Sequence, residues 1–295
     1  MKTVFLCVVL AFAVRASGQQ TTTYDTGIGH ATPMIPTVQS QLPNTLPPPV
    51  VITSDYYAQP KVLVLHVLNN SGKDITGYTM IIRHKNPDGT LDKGSRGEQT
   101  TDMLNVLITA QMAKDPTASE RIQQQKIGND SFPASAGTGL FMAGDTRDMT
   151  LTGINSGSEL DITYGVVFYS DGTYDQTDDD AFKRLLAMRQ SGLQQMKDAN
   201  ESIRNALADT TNDHPVATVL TELNRRQVEA MEKPNQGFFP MDLGTLRYLQ
   251  QPAYGEQKGK TERERLTQYV EEEEKRVELM TPHCHVEITV SHDKK

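Results

Sequence analysis

Lys61-Val-Leu-Val-Leu-His-Val-Leu68, Asn69-Asn-Ser-Gly-Lys-Asp74 and Ile75-Thr-Gly-Tyr-Thr-Met-Ile-Ile-Arg-His84 run consecutively, and their reading decides the fold. The first segment is rich in β-branched and leucine side chains and too short and uniform for an amphipathic helix, so it predicts a strand. The second packs Asn, Ser, Gly and Asp into six residues, a dense turn signal. The third alternates, with Tyr78, Met80 and Ile82 on one face. Asn86-Pro87-Asp88-Gly89 then closes it, since proline pre-sets one turn angle and glycine tolerates positive φ. The expectation is a β-hairpin over Leu63 to Asn70 and Ile75 to His84, of the kind that builds β-sandwiches.

Outward from this pair the β signal continues. Val50-Val51-Ile52 predicts a short apolar strand upstream. Downstream, Asp102 to Ala113 satisfies both periods imperfectly, and strand is preferred over helix. Lys114 to Pro133 is a polar excursion with a helical turn or short helix around Thr117 to Gln125, and Gly137-Thr138-Gly139 begins another loop. Arg147 to Leu151 and Asp161 to Tyr169 predict further strands, and Ser170-Asp171-Gly172-Thr173 turns the chain sharply.

The period then becomes helical. Phe182, Leu185, Leu186, Leu193, Met196, Ile203 and Leu207 form one stripe, and Val216, Val219, Leu220, Leu223, Val228 and Met231 a second, after a break at Asn212-Asp213-His214-Pro215. Two amphipathic helices joined so briefly predict an antiparallel hairpin. A loop from Pro234 to Gly259 leads to a third helix over Thr261 to Met280, followed by a terminal strand from Cys284 to Val290. The fold class expected is α+β: an immunoglobulin- or fibronectin-like antiparallel β-sandwich over residues 50–175, then a helical region with a C-terminal strand over 176–295.

The first 49 residues read differently. Lys2, the apolar run Val4 to Val14 and the small-residue pattern Ala16-Ser17-Gly18 predict a cleavable export signal at 1–18, cut after Ala16 or Gly18. The run is about half the ~20 residues that span a bilayer, so no transmembrane anchor is expected after cleavage. Cys7 lies inside the run, which is the wrong place for a lipid-modified cysteine. Residues 19–49, with Gln-Gln-Thr-Thr-Thr and Pro47-Pro48-Pro49, predict a disordered, partly polyproline spacer, in which Tyr24 and His30 are solvated. The location implied is secreted or periplasmic.

Charge and composition narrow the function. The 37 acidic residues outnumber the 29 basic ones, and loss of Lys2 and Arg15 with the leader makes the balance more negative. An acidic surface repels phosphate backbones, so no nucleic acid is expected as partner. Leader cleavage would also remove one of the two cysteines, leaving Cys284 without an internal disulfide partner. The absence of Trp, with 6% aromatic residues, argues against a carbohydrate-binding face built on aromatic platforms.

Candidate chemistry is sparse. His283-Cys284-His285 with His292 offers zinc or copper ligands. On an extended strand His283 and His285 would share a face, with Cys284 on the core side and a third ligand needed from elsewhere. Asp171, Asp175, Asp178, Asp179 and Asp180 could hold calcium but lack EF-hand spacing, and helix capping accounts for them without a ligand. Glu271 to Glu274 reads as a solvated helix face. His66, His84 and His214 read as structural, Asn69, Asn129 and Asn200 begin N-x-S sequons, and Gly137 to Gly144 has the wrong last interval for a dinucleotide fingerprint. G-x-S-x-G, H-E-x-x-H, C-x-x-C and Walker patterns are absent from the sequence.

Val-Leu-Asn-Asn-Ser-Gly-Lys-Asp-Ile-Thr-Gly-Tyr at Val67 to Tyr78, with Val167-Phe-Tyr-Ser-Asp-Gly-Thr173 leading into a long helix, resembles uncharacterised secreted bacterial proteins of the acidobacterial type. The resemblance spans Val50 to Asp209; it implies the sandwich and no activity. Two expectations result. One is a non-catalytic module, without a cofactor, that docks a protein or other macromolecule of the cell envelope and can pair with a second copy. The other is a zinc- or copper-dependent extracytoplasmic enzyme or carrier using His283, His285 and His292.

Overall fold

The computed structural model describes residues 48–57, 61–92, 94–130, 139–153, 159–231 and 258–285. The expected leader and nearly all of the spacer lie outside the described residues. The fold is mixed α+β, with two antiparallel sheets and, among the described residues, five helices. The strands are β1 (Val50–Tyr57), β2 (Val62–Asn69), β3 (Ile75–His84), β4 (Gly97–Asp102), β5 (Thr146–Thr152), β6 (Leu160–Tyr169) and β7 (Tyr174–Gln176). The helices are α1 (Leu104–Met112), α2 (Glu120–Asp130), α3 (Asp179–Ala208), α4 (Pro215–Met231) and α5 (Glu262–Cys284). None is long and apolar enough to cross a membrane.

The strands expected on either side of the 69–74 turn are present, but they do not form a hairpin. β2 sits between β1 and β5 in a three-stranded sheet, whereas β3 sits between β4 and β6 in a four-stranded sheet ordered β4-β3-β6-β7. The turn is a crossing between sheets, held by the buried side chain of Asn69. Its amide nitrogen donates to the carbonyls of Lys73 (2.8 Å) and Phe141 (2.9 Å), and its oxygen accepts from the Ser71 amide and hydroxyl. Burying this amide fully bonded replaces the ladder that a hairpin would have supplied. The sequon at Asn69 is therefore sealed inside the fold, as is that at Asn200, 6% exposed within α3.

Alternation sets what the sheets bury. Leu63, Leu65 and Val67 of β2, Tyr78 and Met80 of β3, Met149 of β5 and Ile162, Tyr164 of β6 meet in one apolar core, with Ile82 packed against it. Each such side chain contributes roughly 1.5–3 kcal/mol relative to exposure. On its other face the four-stranded sheet receives α3: Ala181, Phe182 and Leu185 pack on Ile81, Val166 and Phe168. The approach depends on Gly165, which bulges out of the β3–β6 register where Thr79 pairs with Val166 and Met80 with Tyr164. A Cβ there would lie 2.7 Å from the Ala181 Cβ and 2.9 Å from Ile81 Cδ1. The bulge also aims the Gly165 carbonyl at the amides of Thr177 (2.9 Å) and Asp178 (3.0 Å), fixing where α3 begins.

Turns elsewhere repeat one device. In Asp88-Gly-Thr90, Asp115-Pro-Thr117, Asp171-Gly-Thr173 and Asp209-Thr-Thr211 the aspartate Oδ1 accepts from the threonine amide and, at 2.6 Å, from its hydroxyl. A short acceptor two residues before a donor pair closes the turn without cross-strand help.

The segment from Asp102 is helix, not the preferred strand. The Asp102 carboxylate accepts from the Leu104 amide (3.1 Å), and Leu104, Leu107, Ile108 and Met112 enter a second core with Ile122 of α2, Leu193 and Met196 of α3, and Met280 and Cys284 of α5. Val106 packs instead on the sheet core, so α1 is apolar on two sides and shows no clean period. The expected short helix around Thr117 is α2, displaced to Glu120–Asp130. β4 (Gly-Glu-Gln-Thr-Thr-Asp) and the three-residue β7 carry no apolar alternation and gave no strand signal.

The helical stripe of α3 is buried at Phe182, Leu185, Leu193, Met196 and Ile203, and α4 contributes Val216, Val219, Leu220 and Leu223 to a third core with Leu266, Tyr269 and Val270 of α5. Val228, expected on that stripe, is exposed. α5 opens with a capping box between Thr261 and Glu264 and continues past Met280 through Pro282 to Cys284. Burial of Met280 and Cys284, four residues apart on one face, outweighs the backbone hydrogen bond that Pro282 cannot donate. The terminal strand is thus not observed at Cys284; Val286 to Val290 lie outside the described residues. Within the acidic run read as a solvated face, Glu271 is exposed but Glu272, Glu273 and Glu274 are engaged. Arg121 of α2 pairs with Glu272 (2.6 Å) and Glu273 (2.9 Å), while Arg204 of α3 pairs with Glu274 (2.5 Å).

Candidate functional site

His283 and His285 do not share the strand face expected of them. His283 occupies the last turn of α5, His285 is its C-cap, and His292 lies outside the described residues. Two positions apart on a helix are turned about 200° around its axis, so the shared face that a strand would give is lost. Burial and the Arg189 guanidinium hold the His283 imidazole below its ordinary pKa, against the pull of Asp171. Its Nδ1 is buried with no hydrogen-bond partner among the described residues. Cys284, 0% exposed, points its thiol at the Arg189 carbonyl (3.6 Å), and burial pushes its pKa up to about 11. Such a thiol is a core side chain.

The aspartate cluster disperses onto separate partners. Asp171 pairs with Lys73 at 2.8 Å, and that ammonium with the Thr173 turn lowers its pKa to about 2. Asp175 accepts from the Tyr169 hydroxyl (2.5 Å), and Asp179 from the Gln176 amide (3.0 Å). Asp178 is the N-cap of α3, accepting from the Ala181 amide at 2.9 Å, and is gripped by Arg96 at 2.7 and 2.9 Å. The Arg96 hydrogen bonds hold the Asp178 carboxyl well below the usual range. Among the described residues no group of three or more histidine, cysteine or acidic side chains is arranged to hold a metal ion. His214 stands at the start of α4, 3.7 Å from Glu262.

A different place has the form of a binding site. β4 and β5 are edge strands of their respective sheets, and between them opens a cleft of about 380 Å³ lined by Ile82, His84, Ser95, Gly97, Gln99, Thr150, Leu151 and Thr152. Ile82 and Leu151 give it an apolar floor, since both pack on the sheet core. Gln99, Thr150 and Thr152 make no side-chain hydrogen bond to any described residue, so their donors and acceptors are free to meet a ligand. Ser95 is not poised as a nucleophile. Its hydroxyl accepts from the His84 amide (2.8 Å) and donates to the Asp92 carbonyl (3.0 Å), which uses its proton. What the cleft can do is present uncharged hydrogen-bonding groups and the outer peptide edges of two strands.

Sequence reading missed Gln99, Thr150 and Thr152 because isolated polar residues on strand edges carry no spacing rule. It also missed Asp55 and Asp148, which bracket His66 on the outward face of the three-stranded sheet at 3.1 and 2.7 Å. Strand parity could have put His66 on that face; the pairing that brings the two carboxylates to it could not be read. No family model matches the chain, and no curated protein does. Among solved structures, a hypothetical protein from Peptoclostridium difficile 630 is similar to 48% of this chain over 92% of its own length, at 12% identity and a TM-score of 0.25, a likeness too loose to bear on fold or activity.

Proposed function

We propose that the chain is an exported, non-catalytic binding module of the cell envelope, built on an immunoglobulin-like sandwich, whose partner is an extended polypeptide segment laid along the cleft between β4 and β5. The observation that carries this reading is the set of unengaged side chains of Gln99, Thr150 and Thr152 between two edge strands. A strand added there would satisfy outward-facing peptide groups by backbone pairing, while the Ile82–Leu151 floor would take alternate apolar side chains. Among the described residues the lining has no aromatic platform for a sugar ring and no carboxylate pair for acid–base work. The acidic balance of the chain favours a neutral or basic segment over an acidic one.

The test is selection of random linear peptides displayed on phage against the folded protein, followed by NMR mapping of the winners. Enriched peptides should shift the amides of Gln99 and Thr150 to Thr152, and Gln99→Lys together with Thr150→Arg should reduce their affinity at least tenfold. Failure to enrich any peptide, or binding indifferent to both substitutions, rejects the reading.

A further inference from the structure

The outward face of the three-stranded sheet holds a group of charges that the cleft does not use. His66 lies on β2, the central strand. Its Nδ1 is 2.7 Å from Asp148 Oδ1 on β5, and its Nε2 is 3.1 Å from Asp55 Oδ2 on β1. Asp148 and Thr53 are its direct cross-strand neighbours, and Asp55 is reached diagonally, being paired with Val64. One imidazole thus touches a carboxylate on each edge strand of the sheet. Both contacts can be hydrogen bonds only when both ring nitrogens carry protons, because neutral imidazole has one N–H and one lone pair. The lone pair would face a carboxylate with no proton between them. A single metal ion cannot replace this arrangement, since the two carboxylates stand off opposite ring nitrogens.

We propose that Asp148–His66–Asp55 is a protonation-dependent clasp that fastens both edge strands, β1 and β5, to β2, and that loss of one proton releases β1 first. The shorter contact to Asp148 keeps the remaining N–H, and Asp55 is left against the lone pair. Partial burial opposes protonation of the ring, but Asp148 and Asp55, the charged groups bearing on it, together outweigh burial and raise its affinity for the proton. The sign follows. Below the unfolded value of 6.5 the imidazole is charged in both states and the clasp is fully closed. As pH rises through the higher folded value the proton leaves and the stabilisation goes with it.

The experiment is a titration of the full chain labelled with 13C at the histidine Cε1 position, with hydrogen-exchange protection of residues 50–57 and 146–152 recorded in parallel. His66 should titrate above 6.5. Protection of β1 should fall as pH rises from 6.5 through the His66 midpoint, by tenfold for each unit between the two, while β5 keeps more of its own. Asp148→Asn and Asp55→Asn should each bring the His66 midpoint down, and His66→Gln should make β1 protection independent of pH. The wild-type titration needs no substitution to succeed: a His66 midpoint at or below 6.5, or β1 protection that stays level through it, overturns the proposal.

Discussion

Arg189 of α3 and Asp102 at the end of β4 form an ion pair whose cationic side chain is 1% exposed, with Nη2 2.9 Å from the carboxylate and 3.0 Å from the Thr76 carbonyl. The guanidinium also lies over the Phe168 ring, 4.6 Å from its centroid. A Cβ on Gly77 would come within 2.6 Å of Nη2, so a side chain there would have to push the guanidinium aside. A charge taken out of water depends on its partner. Asp102→Asn, which keeps the Leu104 cap but removes the counter-charge, should cost about 3 kcal/mol in urea denaturation. Arg189→Met, which deletes the charge and keeps the apolar stem, should cost less than Asp102→Asn.

Gly165 is where the backbone of β6 meets α3 closely. With Ala181 Cβ at 2.7 Å and Ile81 at 2.9 Å from any added methyl, Gly165→Ala should destabilise by roughly 1–3 kcal/mol, by forcing backbone separation. Equilibrium unfolding monitored by far-ultraviolet circular dichroism measures it, and an unchanged midpoint would mean that α3 is not seated on β6.

Asp178 joins two roles that substitution can separate. Asp178→Asn keeps a capping acceptor but loses the charge facing Arg96, whereas Asp178→Ala loses both, with the cap alone worth about 1 kcal/mol. Because the folded carboxyl titrates below the unfolded one, its contribution is present above the unfolded value of about 3.9 and is lost as pH falls through the folded value. The stability gap between wild type and Asp178→Asn, measured by urea unfolding at successive pH values, should be full at neutrality and shrink in acid.

Cys284 should resist modification while the protein is folded. A thiol pushed up to about 11 and buried against Arg189 holds little thiolate at pH 8. Alkylation of the Cys284 peptide, followed by mass spectrometry, should be about a hundredfold slower in buffer than in concentrated urea. Equal rates in both would place the end of α5 in solvent.

Much of the element content was legible because it follows from local rules. Alternation at Tyr78, Met80 and Ile82, a cap among Asp178 to Asp180 and the stripe from Phe182 to Ile203 each depend on neighbours a few residues away. The binding cleft was not legible. Thr150 and Gln99 meet only because one sheet edge is brought beside another, and neither residue type signals that in its own sequence. The face that His283 and His285 were expected to share was not legible for a related reason: it required a strand, and burial of Met280 and Cys284 carried the helix through His283.

The sequence by itself determined where β1, β2, β3, β5 and β6, the turns beside them and most helices lie, since backbone preference and apolar period act over distances shorter than one element. Only the tertiary structure decided that β2 and β3 part into different sheets, that α1 is a helix wedged between two cores, and that His66 is gripped from both sides. Those outcomes are set by contacts between residues far apart in the chain, where the free energy of burying one side chain depends on which distant partner fills the space against it.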